Sequence, residues 1–298
     1  MSITVPPIKC QGIKTKLLPA IRPIVPERIE GRWIEPFCGS GVVAFNLLPE
    51  RALLADTNRH IIALYQAIQA GRITPGSVQE FLRAEGAVLK DKGEAHYYAV
   101  RERFNAHKDS LDFLFLNRSC FNGVMRFNRK GGFNTPFCRK PERFQPAYVT
   151  KIVNQVRSVA QIVSRYDWVF RVSDFRETLA EAKTGDFVYA DPPYAGRHTD
   201  YFNGWTSEDE EVFIRQLKGL PCTFLLSTWQ ENTFRRNPAI DSYLCEPGLV
   251  RHTVEHFYHV GSQEELRHAM TEALITNAER VGAAEATVRP RQFALEMA

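Results

Sequence analysis

Short apolar runs that close in turn residues recur along the chain. Six of them have the length and composition of buried strands, namely RWIEPF, ALLAD, WVFRVSDF, DFVYADPP, CTFLLSTW and EALITN. Amphipathic stretches with helical spacing separate several of these runs. Because alternating strands and helices are typical of a largely parallel sheet with helices on both faces, the pattern predicts an α/β fold.

The alternation is interrupted between about residues 60 and 164, where the hydrophobic pattern is helical. One β-hairpin is predicted inside this stretch, near 124–137, because Lys130-Gly131-Gly132 supplies a permissive turn. We therefore expect a discontinuous α/β domain, residues 1–59 and 165–298, with a helical insertion at 60–164. The segment after Asn277 is polar and is expected to be peripheral.

Composition fits a folded globular protein: the chain has 298 residues, of which 44% are hydrophobic. It contains no apolar run of about 18 residues and no apolar N-terminal stretch, so a cytoplasmic location is expected. Six scattered cysteines lack zinc spacing and are predicted to be structural thiols. His256 and His259 would point to opposite faces of a strand, so no metal site is expected.

Basic residues concentrate in one segment, although the net charge of the chain is only +4. From Arg118 to Lys151 there are eight basic residues and one acid, which leaves the remainder of the chain slightly acidic. Phenylalanines and tyrosine are interleaved with these charges. Such a block is typical of nucleic-acid contact, and the alternative is a solvated basic loop over a small aromatic core.

The stretch RWIEPFCGSGVVAFNLL passes from a predicted strand through Gly39-Ser40-Gly41 into a helix. Asp56 ends the next strand, where an acid can accept hydrogen bonds from both hydroxyls of a ribose. Glu35, which precedes this turn, would repel a pyrophosphate. An adenosine with a cationic amino-acid tail would be accepted, which favours S-adenosylmethionine over NAD. A plain tight loop is the alternative.

The run FVYADPPYAG places Asp191 at the end of an apolar strand, followed by two prolines. Methylation of an adenine amino group is difficult because its lone pair is delocalised into the ring. The Asp191 carboxylate and the rigid carbonyl of Pro192 could accept the two N–H bonds and free that lone pair, while Tyr194 stacks on the base. The alternative is an ordinary strand-end turn.

Taken together, these motifs resemble the Dam-like group (alpha group, D12 class) of DNA adenine-N6 methyltransferases, and most closely the branch that includes the EcoRV modification methylase. The likeness rests on PPIKCQGIKTKL (6–17), EPFCGSG (35–41), ADTN (55–58), FLNRSCFNGVMRFNRKGGFNTPF (115–137), SDF (173–175), DPPY (191–194), EHFYHVG (255–261) and EALITN (272–277). It implies a Rossmann-like S-adenosylmethionine-dependent methyltransferase sheet with a helical DNA-recognition insertion.

The resemblance also implies a set of donor-binding residues. Lys14 and Asp56 would bind S-adenosylmethionine, and Asp191 would border it. The residues that shape the pocket would be Glu35, Phe37, Gly39 and Gly41, with Asp174 and Phe175 near the donor adenine. Cys10, which stands where many relatives have Trp, belongs to the same set.

A second set is implied for double-stranded DNA. Lys9 and Arg126 would read the guanine end of a GAT-containing site, GATATC first and GATC second, since both can donate to major-groove acceptors. Phe121, where relatives more often have Tyr, would fill the gap left by the flipped base. Asn122 and Pro136 would touch bases, and Arg129 and Lys130 would contact phosphates. The set also includes Asn117, Arg118 and Asn128.

Further expectations concern partners: no membrane, a monomer in solution, and a cognate restriction endonuclease that acts separately if one exists. Three rival functions remain open. Pro221-Cys222 could belong to a cytosine carbon-5 methyltransferase, although Cys222 opens an apolar strand. A similar tetrapeptide also serves enzymes that methylate a protein glutamine or an RNA base. A catalytically silent DNA-binding module is the third.

Overall fold

A seven-stranded sheet forms the centre of the computed structural model, which describes residues 3–193, 204–232, 237, 248–257 and 269–278. Its strands are β1 (Trp33–Glu35), β2 (Arg51–Asp56), β3 (Asp167–Val172), β4 (Phe187–Ala190), β5 (Thr223–Asn232), β6 (Val250–Phe257) and β7 (Ala269–Thr276). All six strands predicted from apolar runs are present.

The strand order is β3-β2-β1-β4-β5-β7-β6. Strands β3, β2, β1, β4 and β5 are parallel to one another, and β7 inserts antiparallel between β5 and β6. The order β3-β2-β1-β4-β5 is that of a doubly wound sheet, with its switch point between β1 and β4. Ligands of such sheets bind beyond the carboxyl ends of the strands at that point.

Helices of the described chain cover both faces of this sheet. They are α1 (Leu18–Ile21), α2 (Ala44–Leu47), α3 (Arg59–Gln69), α4 (Pro75–Lys92), α5 (Glu94–His107), α6 (Ser110–Ser119), α7 (Pro146–Val163), α8 (Phe175–Ala180) and α9 (Ser207–Lys218). Polar side chains cap several N-termini: Asn58 accepts from the backbone of α3, and Thr74 forms a capping box at α4.

Two apolar cores lie on opposite faces of the sheet because successive strand side chains alternate in direction. Trp33 and Tyr189 belong to the first core, and their neighbours Ile34 and Val188 belong to the second. Helices α8 and α9 pack on the second core. The predicted α/β fold, a largely parallel sheet with helices on both faces, is therefore confirmed.

The first core continues without a break from the sheet into the helical segment. It joins Trp33 and Leu54 of the sheet to Tyr97, Phe113 and Val156 of α5, α6 and α7. Helix α3 contacts β2 and β3 as well as α6 and α7. The division into a catalytic domain and a target-recognition domain at residues 60–164 stays a prediction.

Residues 124–137 reverse direction without forming two regular strands. The backbone N–H of Asn128 donates to the carbonyl of Gly132 at 2.8 Å and closes the turn, and Phe127 pairs with Phe133 through one isolated bridge. The ring of Phe127 stacks on His60 of α3 at a centroid distance of 5.2 Å. Because the phenylalanines pack inward on the helices, the reversal follows the helical surface and a continuous hairpin ladder does not form.

Candidate active site

The glycine turn after β1 holds the carboxylate of Asp56 by its backbone. The N–H of Gly39 donates to Asp56 Oδ2 at 2.8 Å, and the N–H of Asn58 donates to Oδ1 at 2.8 Å. Gly39 and Gly41 have φ of +50° and +66°, a region that favours glycine. A Cβ at Gly41 would lie 2.9 Å from the ring of Phe45. The sequence Gly-x-Gly therefore serves to bring the turn close to Asp56.

Glu35 ends β1 as a buried carboxylate. Its Oε1 accepts from the indole Nε1 of Trp33 at 2.8 Å and from the backbone N–H of Ala44 at 3.0 Å. Burial raises the pKa of Glu35 to about 8, and the two donors oppose that rise. A cationic group bound beside Glu35 would favour its charged form, because opposite charges lower the pKa of a carboxyl.

Asp191 directly follows β4, on the other side of the switch point. Its Oδ1 lies 3.1 Å from the Nζ of Lys14, and 23% of its side-chain surface remains accessible. Burial raises the pKa of Asp191 to about 6, while the ammonium of Lys14 opposes the rise. The carboxylate is thus held at one oxygen and can meet a second ligand.

One cavity of about 200 Å³ joins these groups. Of the residues predicted to bind donor, those that line it are Cys10, Lys14, Glu35, Phe37, Gly39, Asp56, Asp174, Phe175 and Asp191. Gly41 and Pro192 are not among the lining residues, whereas Pro193 is. Tyr194 lies outside the described residues. The glycine turn, its acid and the strand-end carboxylate therefore share a single cleft.

An aromatic wall forms one side of the cavity. Phe37 contacts Phe175 at a ring distance of 5.6 Å, and Trp205 lies 5.4 Å from Phe175. Asp174 caps α8 by accepting from the backbone of Arg176 and thereby fixes the entry of Phe175. Flat apolar surfaces of this kind can stack on a nucleobase.

Sequence reasoning missed two residues at this site. Trp205 precedes α9 and was not connected to the glycine turn by any motif. Glu272 of β7 is fully buried and lies 3.9 Å from Lys14 Nζ. A signal for Glu272 was available, since a charged residue inside an apolar strand is rarely buried without a partner.

Phe121, Asn122 and Pro136 share one exposed tip of the insertion. Phe121 keeps 54% of its surface exposed, which is unusual for a large apolar side chain. Its backbone N–H donates to the carbonyl of Pro136 at 2.9 Å, and Asn122 has a φ of +52°. The tip therefore presents an aromatic ring that does not pack in the core.

Arg126, Arg129 and Lys130 lie on the neighbouring reversal. Arg126 is half-buried, and its Nε donates to Asn134 Oδ1 at 2.9 Å. Arg129 and Lys130 are exposed at the turn. Asn128 uses its side-chain oxygen to accept from the backbone of Lys130 and Gly132, each at 2.9 Å. Asn128 thus shapes the turn that presents the basic residues.

Asn117 and Arg118 require a correction, because both side chains are buried and directed into the protein. Asn117 hydrogen-bonds the backbone of Lys9, and Arg118 Nη1 donates to the carbonyl of Pro7 at 2.9 Å. These partners leave neither side chain on the surface for a direct DNA contact. Both side chains hydrogen-bond the backbone of the N-terminal segment that carries the half-buried Lys9.

The structure also bears on the rival assignments. Cys222 is buried in the second core, and burial raises the pKa of its thiol to about 11, which is unsuited to a nucleophile. His259 and the side chain of His256 lie outside the described residues. Within 3–193 and the shorter described ranges, no cluster of His, Cys, Asp or Glu could hold a metal. None of the described helices has the length and apolar character of a membrane span.

The chain is similar to one protein family and to several known proteins. The profile of the D12 class N6 adenine-specific DNA methyltransferases matches residues 11–244. The chain is 31% identical over 249 residues to the type II methyltransferase M.MjaIII of Methanocaldococcus jannaschii, covering 74% of this chain and 83% of that relative. It is 32% identical over 213 residues to the DNA adenine methylase of Vibrio cholerae, covering 68% and 72% respectively.

Among solved structures, the chain is similar to an rRNA methyltransferase from Streptomyces viridochromogenes, with 12% identity, a TM-score of 0.37 and coverage of 93% of this chain and 88% of that one. This last likeness is too low to carry an argument. The resemblance to the D12 class is confirmed by the family match and by the relatives, whereas closeness to the EcoRV branch stays a prediction. The chain belongs to the D12 class family of N6 adenine-specific DNA methyltransferases.

Proposed function

We propose that this chain flips an adenine out of duplex DNA and methylates its exocyclic amino group, using S-adenosylmethionine bound in the cavity between β1 and β4. The observation that carries the proposal is that Asp191 lines the same cavity as Gly39 and Asp56. A donor on the glycine turn would thus lie beside the carboxylate that receives the adenine. No separate nucleophile is needed.

The donor set of the cavity fits S-adenosylmethionine. Asp56 can accept from the ribose hydroxyls, and Phe37 with Phe175 can stack on the donor adenine. Glu35 suits the cationic amino-acid end. When bound, S-adenosylmethionine supplies an electrophilic methyl carbon on a sulfonium, and the carbon–sulfur bond breaks as the amine lone pair attacks. The product is S-adenosylhomocysteine.

Asp191 and the carbonyl of Pro192 are assigned to the amino group of the target adenine. Each accepts one N–H, which draws the lone pair out of conjugation and orients it toward the methyl group. The nitrogen loses one proton as the new carbon–nitrogen bond forms, and the Asp191 carboxylate is placed to accept it or pass it to solvent. Tyr194 is proposed to stack on the flipped base.

The exposed tip and the basic reversal are assigned to the duplex. Phe121 is proposed to occupy the gap left by the flipped adenine, with Asn122 and Pro136 beside it. Lys9 and Arg126 are proposed to read guanine in a GAT-containing site, GATATC first and GATC second. The choice of GATATC depends on closeness to the EcoRV branch, which stays a prediction.

The biological setting is either restriction-modification, with a cognate endonuclease that acts separately, or an orphan methylase. We propose that the chain acts as a monomer. The resemblance to relatives called type II methyltransferases supports the first setting without deciding between them.

A methyl-transfer assay tests the proposal as a whole. The protein is incubated with labelled S-adenosylmethionine and duplex DNA, and the product is mapped by single-molecule sequencing. The expected product is N6-methyladenine at a GAT-containing site. A methylated cytosine carbon would favour the first rival, label in protein or RNA the second, and DNA binding without transfer the silent module.

A further inference from the structure

Glu272 is a carboxylate in the interior of the sheet. It lies on β7 opposite Trp229 of β5 and Val254 of β6, beside the irregularity that follows Trp229. Its side chain is completely buried. The neighbours Ala273 and Ile275 face the apolar second core, as expected for an alternating strand. A carboxylate at such a position costs folding free energy unless it serves a charged partner.

Lys14 is that partner, and it connects Glu272 to the proposed catalytic carboxylate. The ammonium lies 3.1 Å from Asp191 Oδ1 and 3.9 Å from Glu272 Oε2, and the Lys14 side chain is itself 4% exposed. One buried cation therefore stands between two carboxylates that come from different strands. If Lys14 Nζ moved toward Glu272 by about the difference between these distances, Glu272 would replace Asp191 as its nearer carboxylate.

The two contacts have opposite effects on Asp191. Lys14 favours the charged form of the Asp191 carboxyl and lowers its pKa, whereas the like charge of Glu272 raises it. If Lys14 were fully committed to Asp191, that carboxylate would be a weaker acceptor for the amino group of adenine. Attraction of Lys14 toward Glu272 keeps the Asp191 carboxylate basic and its second oxygen available.

We infer that Glu272 is a positioning residue for the transfer reaction: it shares the ammonium of Lys14 with Asp191 and thereby sets how strongly Asp191 accepts the target amino group. The inference rests on the proposed function, since it assigns Asp191 to the adenine. Glu272 itself is not among the residues that line the cavity.

Other ionisable groups also face Asp191, and the test must separate them from Glu272. Among the described residues they are Lys14 from the N-terminal turn, Glu35 from the end of β1, Tyr189 from β4 and Cys10 from the N-terminal segment. A Glu272→Gln substitution leaves all four unchanged. Any shift in the titration of Asp191 in that variant can be assigned to the lost charge.

The test compares parent, Glu272→Gln and Glu272→Asp by kinetics over pH 4.5–9. We expect Glu272→Gln to reduce kcat about tenfold, with KM for DNA and the donor dissociation constant changed less than about twofold. The acid limb of the kcat profile is expected to move to lower pH by about one unit, because a like charge has been removed. Glu272→Asp retains the charge, so its acid limb is expected to stay near that of the parent.

A donor-free measurement provides a second readout. The Asp191 carboxyl carbon is titrated by carbon-13 NMR in the parent and in Glu272→Gln, with Asp191→Asn used to assign the resonance. The apparent pKa of Asp191 is expected to fall in Glu272→Gln. This measurement depends only on a folded protein and does not require turnover.

Asp112→Asn is the matched control. Asp112 is also a buried carboxylate in an ion pair, with Arg103 Nε 2.9 Å from its Oδ2, but it lies on α6 away from the cavity. We expect Asp112→Asn to lower stability while leaving kcat and the acid limb at parental values.

The outcomes separate two failures. A parent chain that transfers no methyl group to adenine would remove the proposed function. An active parent with unchanged kcat, acid limb and Asp191 titration in Glu272→Gln would overturn the role of Glu272 alone. Equal loss of kcat in Glu272→Gln and Asp112→Asn, without a shift of the acid limb, would also overturn it, because it would indicate a purely structural effect.

Discussion

The side-chain amide of Asn117 hydrogen-bonds both backbone groups of Lys9, although 108 residues separate them in sequence. Asn117 Oδ1 accepts from the Lys9 N–H at 2.8 Å, and its Nδ2 donates to the Lys9 carbonyl at 2.9 Å. The same N-terminal segment continues to Cys10 in the cavity and to Lys14 on Asp191. One short stretch of chain thus connects the insertion to the donor cavity.

Asn117→Ala is expected to impair both ends of this segment. The lost bonds leave two partly buried backbone groups without these partners, at a cost of about 1–3 kcal/mol in unfolding free energy. We expect weaker donor binding together with weaker discrimination of cognate DNA. Calorimetry for the donor and competition binding for DNA measure the two effects. The control is Asn154→Ala on the exposed face of α7, and loss of DNA discrimination with unaltered donor affinity would contradict the connection.

Asp191→Ala is expected to abolish methyl transfer and to leave DNA binding nearly unchanged. The carboxylate is assigned to orienting the amino group, and such positioning accounts for several kcal/mol of the barrier, about 7–11 kcal/mol at most for oriented reactions. Single-turnover transfer and DNA affinity are measured side by side, with the exposed Asp167→Ala as control. Transfer at the parental rate by Asp191→Ala would remove the residue from the mechanism.

The pKa of Asp191 predicts that activity and stability respond to pH in opposite directions. The ionised carboxylate is the stronger acceptor for an N–H bond and can take up a proton, so kcat is expected to rise as pH increases through about 6. The pKa of Asp191 is higher in the folded state, about 6, than its ordinary value of 3.8. The folded state therefore binds this proton more tightly than the unfolded state, and the free energy of unfolding decreases as pH rises from 3.8 to about 6. Chemical denaturation at several pH values, compared between parent and Asp191→Asn, isolates this contribution.

The sequence predicted several of the groups that share the cavity because each lies in a short local motif. Gly39 and Gly41 lie in one turn, Asp56 ends the next strand, and Asp191 precedes two prolines, so each could be recognised within a few residues. These motifs come together because the carboxyl ends of β1, β2 and β4 lie at the same edge of the parallel sheet.

Residues that act across the fold could not be found in the same way. Glu272 reaches Lys14 from the opposite end of the chain, and Trp205 joins the cavity from the start of α9. Asn117 and Arg118 were assigned to DNA only through the resemblance to the family. Their helix, α6, directs them inward, and a linear motif does not record which side of a helix is buried.

Glu35→Gln is expected to stabilise the donor-free protein at alkaline pH while weakening donor binding. The amide retains an oxygen to accept from Trp33 and Ala44 and carries no charge to desolvate. Because the folded pKa of Glu35 is about 8 against an ordinary 4.5, the parent loses stability as pH rises through that interval, and the variant does not. The difference at pH 9 is on the order of a few kcal/mol.

Thermal unfolding at pH 5, 7 and 9 measures this effect, with the exposed Glu80→Gln as control. Donor affinity is followed by calorimetry in buffers of different ionisation enthalpy. Binding of a cationic donor to the parent should release protons at pH 7, as the Glu35 carboxyl ionises, whereas the variant should release fewer. Equal proton release by parent and variant would show that Glu35 does not meet the cationic end of the donor.

Arg126 and Lys130 are both basic and lie on one turn, but they are expected to contact different parts of the DNA. Arg126 is assigned to a base edge and Lys130 to phosphate. The guanidinium of Arg126 is oriented by Asn134, and a fixed fork suits the two acceptors of a guanine edge. Arg126→Ala should therefore cost about 1–3 kcal/mol on cognate DNA and relax discrimination at one base pair. Lys130 is exposed at the turn, so Lys130→Ala should weaken binding to all DNA sequences alike and lower the salt slope by about 1. Titrations of cognate and scrambled duplexes at several salt concentrations distinguish them, and equal losses on both duplexes for Arg126→Ala would assign that residue to phosphate as well.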